Sequence, residues 1–490
     1  MGSRFSNLWQ TAENHQGISW LFLRFLGLIY LFAFSSLALQ ILGLVGEWGI
    51  LPLLPYMQMA EQSLGDRAHY WLPMIYWWSG GSDTAVLITV WTGVLGSLLL
   101  IIGQWERPVL ILLFVLYLSL VHAGQVFMNF QWDSLLLEAG FLAIFLPGGP
   151  TLLLVILFEW LLFRLRFLSG LFKLLSGDPS WSGFDALRYY FETQPLPHIG
   201  SWYAHQLPDW LLQAGVGLTL FSELVVPFFI FLTPKFRYFA AGITVLMQVL
   251  ILATSNHNFI NLLTIALCLF LLNDRVLAPI LPARYRTSES AAATPRPTVK
   301  PGRVRNTLIT VVALIVIPVS LLHIASRLDA VTLPKSIQTG ISQIQRFGLG
   351  QGFHIFPTMQ TQRQELIIQG SDDGQNWSNY EFRYKPGDPT RPPKCNIPHQ
   401  PRLDWMLWFV PTQQPLQMAW FNQFMQRLHE GSPDVIQLLK SNPFPQQPPR
   451  FLRVLVYRYQ FTTAETLAAS GLWWERTYLG QFPNVPPRVP

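Results

Sequence analysis

The stretch QVFMNFQWDSLLLEAGFLAIF, residues 125–145, decides how this chain is read, because it sets Asp133 and Glu138 among residues apolar enough for a lipid bilayer. An ionised carboxylate at the centre of a membrane helix costs roughly 2.5 to 3.5 kcal/mol on insertion scales, so each needs a partner, a water path or a proton. The surrounding composition shows that the apolar setting is general. Hydrophobic residues fill 51% of the 490 positions and charged ones 12%, against about 25% charged in soluble proteins. The chain reads as a polytopic membrane protein, and its 19 Trp and 15 Tyr mostly as an aromatic belt at the interfaces.

Apolar windows of about 20 residues mark membrane helices. Nine are expected, at 18–43, 84–103, 108–126, 131–147, 150–172, 208–233, 236–255, 257–273 and 306–326, the fourth being short enough to be re-entrant. Ser19 to Leu44 is too long for a signal-peptide core and lacks a small-residue cleavage site, so no cleaved leader is expected. Arg107, Lys235, Arg237 and the basic connector 274–305 fall on one side if nine spans alternate, and the positive-inside rule makes that side cytoplasmic. Arg164, Arg166 and Lys173, near the outer end of the fifth span, run against this orientation. The net charge of +6 is thus explained by topology, with no nucleic-acid partner. Cys268 and Cys395 lie in unlike settings and form no CxxC, which leaves a dithiol role without residues.

Four parts follow: an eight-helix block over 1–281, an Ala/Pro-rich linker over 282–305, a ninth membrane helix over 306–326 and an outer domain over 327–490. In the last part, alternation on both sides of SDDGQNW (371–377), and again over 450–461 and 471–482, predicts strands, while 405–409 and 413–440 look partly helical. The expected fold is a membrane α-helical bundle followed by a mostly-β, sandwich-like domain with one or two helices. The S-DG-W-Y order in its first hairpin resembles discoidin-like, galactose-binding sandwiches over some twenty residues.

Longer motifs carry a second resemblance over nearly the whole chain. GEWGILP (46–52), FQWDSLLLEAGFLAIF (130–145), KLLSGDPSW (173–181), ALRYYFETQPLP (186–197), TSNHNFINLLTIAL (254–267), YEFRYKPGD (380–388), PHQPRLDWMLWF (398–409) and GLWWER (471–476) resemble the lipase maturation factors. Tyr189-Tyr190 and His257 depart from the common pattern, which has Tyr-His and Tyr at those places. The resemblance implies a multi-pass protein that, in animals, sits in the endoplasmic reticulum membrane and helps secreted lipases reach their assembled form. Short loops fit a bacterial member in the inner membrane, with its last domain outside the cytoplasm. The helix block is also similar to the vitamin K-dependent carboxylase family, which supplies an enzymatic alternative.

Glu138, His122 and Asp133 are the candidates for an acid/base group at an outer cavity under that alternative. Each has a structural reading beside it: Asp133 as a first-turn acid, Glu138 as half of a buried pair, His122 as an interhelical hydrogen bonder. Asn256, His257, Asn258 and Asn261 form a polar turn, read either as helix capping or as a rim that binds a polypeptide or head group. Arg402, Asp404 and Trp405 are candidates for an interaction surface, with Arg402 and Asp404 also able to pair on one side of a strand. Glu159 and Glu223 are expected to pair with Arg24, Arg164 or Arg188. The histidines His122, His198, His205 and His257 lack ligand spacing, so no metal is expected. No cofactor is expected either, as nucleophile-elbow, Walker and dinucleotide motifs are absent from the sequence.

The leading expectation is therefore a chaperone-like assembly factor rather than an enzyme. Its partners would be the bilayer and a secreted client, by resemblance a lipase, and its tail would be removable without unfolding the helix block. A carbohydrate-binding tail on a membrane anchor is the third reading.

Overall fold

The computed structural model describes residues 7–285, 302–328 and 331–488, so most of the linker expected at 282–305 lies outside the described residues. The principal helices of the first part are α1 (Gln16–Ala38), α2 (Asp83–Ile102), α3 (Glu106–Ala123), α4 (Gln131–Ala143), α5 (Leu152–Leu175), α6 (Asp209–Leu224), α7 (Pro234–Thr254), α8 (Ile260–Cys268) and α9 (Arg303–Arg327). Local chemistry fixes several ends. Ser82 accepts the Ala85 N–H at 3.3 Å to start α2, which stops at left-handed Gly103, and Thr151 caps α5 in the same way. Gly93 lets α2 ride against α1, since a Cβ there would lie 2.3 Å from the Phe34 ring.

Among the described residues, six helical stretches are long and apolar enough to cross a membrane: Glu13–Ala38, Asp83–Ile102, Glu106–Ala123, Asp209–Phe231, Pro234–Thr254 and Arg303–Arg327. The three other expected spans depart for physical reasons. α4 has 13 residues, which at about 1.5 Å each falls short of a bilayer. α8 with its 3-10 extension ends at Leu271 and is also short. α5 is long, but Glu159, Arg164, Arg166 and Lys173 are buried along it.

The last part opens with α10 (Lys335–Gln345) and holds β1 (Arg363–Ser371), β2 (Ser378–Asn379), α11 (Arg402–Leu407), α12 (Pro415–His429), β3 (Phe451–Phe461) and β4 (Trp474–Gln481). The strands form one antiparallel sheet in the order β2-β1-β3-β4, with Arg363 opposite Tyr459 and Ser371 opposite Phe451. Among the described residues there is no second sheet, so the expected sandwich is replaced by one layer with helices packed on it. The cause is visible in β1, whose consecutive Leu366, Ile367 and Ile368 are all buried, so both faces are covered. α12 presents Trp420, Phe421, Phe424 and Leu428 at helical spacing. Trp420 meets Phe127, between α3 and α4, with ring centroids 5.6 Å apart. One apolar core therefore runs without a break from Phe22 and Tyr30 in the bundle to Phe424 and Val456 in the sheet domain.

Candidate functional site

The acids that opened the sequence reading lie at the seam of that core. Asp133 is fully buried at the first turn of α4 and receives both guanidinium nitrogens of Arg402, at 2.6 and 2.8 Å. Tyr117 on α3 donates to the same carboxylate at 2.6 Å, and Arg402 also reaches the Phe127 carbonyl at 3.0 Å. This is a bidentate, charge-assisted clamp between the bundle and the outer domain. Arg402 thus pairs with Asp133 and not with Asp404. Both sit on helix α11 instead of a strand, where Asp404 accepts the backbone N–H groups of Tyr384 and Lys385 at 2.8 and 2.9 Å.

Glu138 and His122 face the same domain through other partners. Glu138 pairs with Arg164 of α5 and accepts the Gly350 N–H at 3.0 Å, while Arg164 donates to the Gln351 carbonyl at 2.9 Å. His122 Nε2 donates to the Arg346 carbonyl at 2.9 Å. No bond joins any two of Glu138, His122 and Asp133, so the acid/base group expected of them does not assemble. Deeper, Glu159 pairs with Arg237, and Glu223 with Lys173 and Arg166, in place of the expected Arg24, Arg164 or Arg188. These pairs also explain the cations near the outer end of α5, which are held inside the protein.

The remaining motifs complete the joint. Asn256 receives the Asn396 N–H at 3.1 Å and donates to the Lys394 carbonyl at 2.7 Å. Asn258 caps its own turn at φ +59, Asn261 donates to Gln248 at 2.8 Å, and His257 lies 2.7 Å from the Tyr190 hydroxyl. All four are buried, not displayed on an outer rim. Gln400 donates its N–H to Ser36 at 2.9 Å, and Gln40 receives the Arg402 N–H at 2.8 Å. His399, also against Ser36 at 2.9 Å, has its pKa lowered to about 4 by burial and by Arg402 and Arg383. Arg427 and Ser432 grip the carbonyls of Gly49 and Trp48 in GEWGILP at 2.9 and 2.6 Å.

Where the halves part, they leave a cavity of about 470 Å³. Phe130, Trp132, His257, Phe356, Trp405 and Phe409 are among the residues that line it. Phe130 stacks on Trp132 at 4.6 Å and Trp132 meets Trp405 edge-on at 5.0 Å. Among the described residues, the buried indole N–H groups of Trp132 and Trp405 have no partner. The walls are mainly apolar with a few polar groups, as binding sites of about 300–1,000 Å³ commonly are. Among the described residues no three His, Cys, Asp or Glu side chains are grouped to hold a metal ion.

Family comparison accounts for both halves of this seam. The profile described as the lipase maturation factor transmembrane domain matches residues 18–279, and that of the lipase maturation factor C-terminal domain matches residues 350–484. The chain belongs to the lipase maturation factor family. Lipase maturation factor 2 of Gallus gallus is 32% identical over 580 residues, covering 94% of this chain and 80% of its own length. Lipase maturation factor 2 of Homo sapiens is 32% identical, covering 95% and 82%. Lipase maturation factor 1 of Bos taurus is 32% identical over 520 residues, covering 97% and 90%. No solved structure matches the chain closely. As in the family profile, the chain is a multi-pass integral membrane protein with a separate C-terminal domain.

Sequence reading missed the segment 346–360, which supplies part of the cavity lining. Gln131 holds it by accepting the His354 N–H at 2.9 Å and donating to its carbonyl at 2.5 Å. Its signal was the GLGQG run, where Gly348 and Gly350 take φ values of +75 and +67. A Cβ on Gly348 would lie 2.5 Å from Leu137, beside Glu138. Arg363 was missed as well: buried on β1, it donates to the carbonyls of Gln194 and Pro195 at 2.5 and 3.0 Å.

Proposed function

We propose that this chain is a membrane-embedded maturation factor for a secreted lipase, and that the aromatic cavity at the seam receives an apolar, incompletely folded segment of that client. The relatives' name supplies the client class. The observation that carries the site is the cavity itself, lined by Trp132, His257, Phe356, Trp405 and Phe409. Aromatic walls bind unlike side chains by area and ring contact, which suits a client whose sequence is not read. Trp405 and His257 contact the client; Arg402, Asp404, Asn256, Asn258 and Asn261 hold the walls in place. The pairing of Asp133, Glu138 and His122 with Arg402, Arg164 and the Arg346 carbonyl leaves the carboxylase-like alternative without a reacting group.

We further infer nine crossings, with the C-terminal domain on the face that is periplasmic in a bacterium and lumenal in the endoplasmic reticulum. α4 starts beside His354, and the chain after it reaches Pro147, whose carbonyl accepts from Arg107 at 2.5 Å and from Arg305 at 3.5 Å. α8 likewise starts by Asn256 and leads to Phe270, whose carbonyl accepts from Arg237 at 2.9 Å. The basic residues thus gather away from the docked domain, in accord with the positive-inside rule.

Gln414 and Thr358 line the cavity without a side-chain bond that the walls depend on. Co-expression of a lipase with Gln414→Trp or Thr358→Trp tests the reading. Secreted lipase activity falls by about tenfold or more, equivalent to about 1.4 kcal/mol of lost client binding, at unchanged membrane levels of the variant. Wild-type lipase output from both variants overturns the assignment.

A further inference from the structure

A second, smaller cavity lies deeper, between α5, α6, α7 and α8. It measures about 90 Å³ and is lined by Arg166, Lys173, Trp181, Glu223, Gln248 and Asn261 among others. At about 30 Å³ per water in the liquid, it is sized for three waters or one compact polar group. Its charges do not balance. Glu223 is shared by Lys173 at 2.8 Å and Arg166 at 3.6 Å, and among the described residues no other carboxylate lies within 4 Å of either cation. Both cations are about 4% exposed, so bulk water screens the excess charge little.

The remaining bonds make the cluster rigid without neutralising it. Lys173 donates to the carbonyls of Ser169 and Ile355 at 3.3 and 2.8 Å, and Arg166 donates to the Ser222 hydroxyl at 2.9 Å. Those acceptors are neutral. Among the described residues, the buried Arg166 Nε has no partner. A buried cation lacking a counter-charge is strongly unfavourable, and an unmet guanidinium N–H compounds it. Leu187, Met247 and Ile251 supply an apolar side to the same cavity, which also shares His257 and Phe356 with the client cavity.

We propose that this cavity binds one anionic head group, a carboxylate or a phosphate, against Arg166 and Lys173. The anion brings the cluster of two cations and Glu223 to neutrality and meets the free Arg166 N–H. Its source is a lipid, with the chain along Leu187 and Ile251, or a free anion from the outer solution. Occupancy of the site does not require a lipase.

The test uses the full chain in phosphatidylcholine nanodiscs, titrated separately with oleate, phosphatidylglycerol and inorganic phosphate, with bound equivalents read by native mass spectrometry. One equivalent of at least one probe binds to the wild type. Binding of oleate or phosphatidylglycerol identifies a lipid source, and binding of phosphate alone a soluble one. Arg166→Gln weakens binding about tenfold, which is about 1.4 kcal/mol, while Glu223→Gln, which raises the cluster from one net positive charge to two, strengthens it. Should Arg166→Gln not yield folded protein, Thr219→Trp fills the cavity with both cations retained and abolishes binding. The proposal is overturned if no probe binds, or if Glu223→Gln weakens binding as Arg166→Gln does.

Discussion

Removing Arg402 is the sharpest perturbation of the seam. Its guanidinium makes two bonds to Asp133, at 2.6 and 2.8 Å, with both side chains at most 2% exposed. With charge centres about 4 Å apart and an effective dielectric of about 20, the attraction is about 4 kcal/mol. Breaking such a pair from one side leaves an uncompensated buried charge and costs about 3–5 kcal/mol. Tyr117 softens the loss, because its hydroxyl still donates to Asp133 at 2.6 Å. We therefore expect Arg402→Met to cost about 3 kcal/mol and Asp133→Leu about 4 kcal/mol, the second also stranding Arg402. The double variant removes both charges and keeps apolar volume, so it costs less than either single change. The assay is a double-mutant cycle on detergent-solubilised protein, read by denaturant-induced change in tryptophan fluorescence and by the protease resistance of residues 331–488. Additive losses, with the double variant worse than both singles, would refute the coupling and the clamp with it.

Glu138→Gln keeps an acceptor for the Gly350 N–H but strands Arg164; folded protein falls by an amount equivalent to about 3 kcal/mol, while lipase output per folded molecule stays at the wild-type level. A catalytic role would show the reverse in the same secretion assay. His399 has a folded pKa of about 4, below its ordinary 6.5, so the unfolded chain binds the extra proton; its stabilising contribution is complete above pH 6.5 and is lost as pH falls toward 4. His399→Asn flattens that part of a stability profile measured between pH 7 and pH 4. Gly43→Val places a side chain where a Cβ is already 2.5 Å from the Asp434 carbonyl oxygen and 2.7 Å from Leu438, and costs about 1–3 kcal/mol through forced separation of the domains, seen as faster proteolysis after residue 331. Truncation after residue 328 exposes Phe127 and leaves Asp133 without Arg402, so the shortened chain is recovered aggregated on size-exclusion chromatography, contrary to a detachable tail.

The parts of the fold legible in the sequence were those set by local pattern. Long apolar runs gave α1, α2, α3, α7 and α9 to within a few residues, and RFLRVLVYRYQF gave β3. The segments that departed are those whose surroundings, not their own composition, decide the outcome. α5 tolerates four buried charges because Glu138, Glu223 and Arg237 are brought to it from other helices. β1 was legible as a strand, but its consecutive buried Leu366, Ile367 and Ile368 belong to a single covered sheet and not to the expected sandwich. At the site, QWD, TSNHN and PRLDW were each recognisable as polar text in apolar context, but their pairing across more than a hundred residues had no local signal. Arg402 is 269 positions from Asp133.

That pairing changes what the acids near the membrane do. Asp133 lies at the first turn of α4, where the helix dipole already favours a carboxylate, and the incoming Arg402 supplies the opposite charge as the outer domain docks. Glu138 lies 7.5 Å further along a helix rising about 1.5 Å per residue, and is met by Arg164 together with the 350–351 backbone. Asp133 gains its cation only once the last third of the chain is seated, whereas Glu138 already has Arg164 in the bundle and gains the Gly350 N–H from that seating. An apolar pair in either place would bury as much area without that dependence, and would tolerate other registers of docking. Charged pairs fix one register, and the cavity between Trp132 and Trp405 exists only in that register, since its two indoles come from opposite sides of the joint. On the proposed reading, the acids act on a client indirectly, by setting the distance between the walls that would hold it.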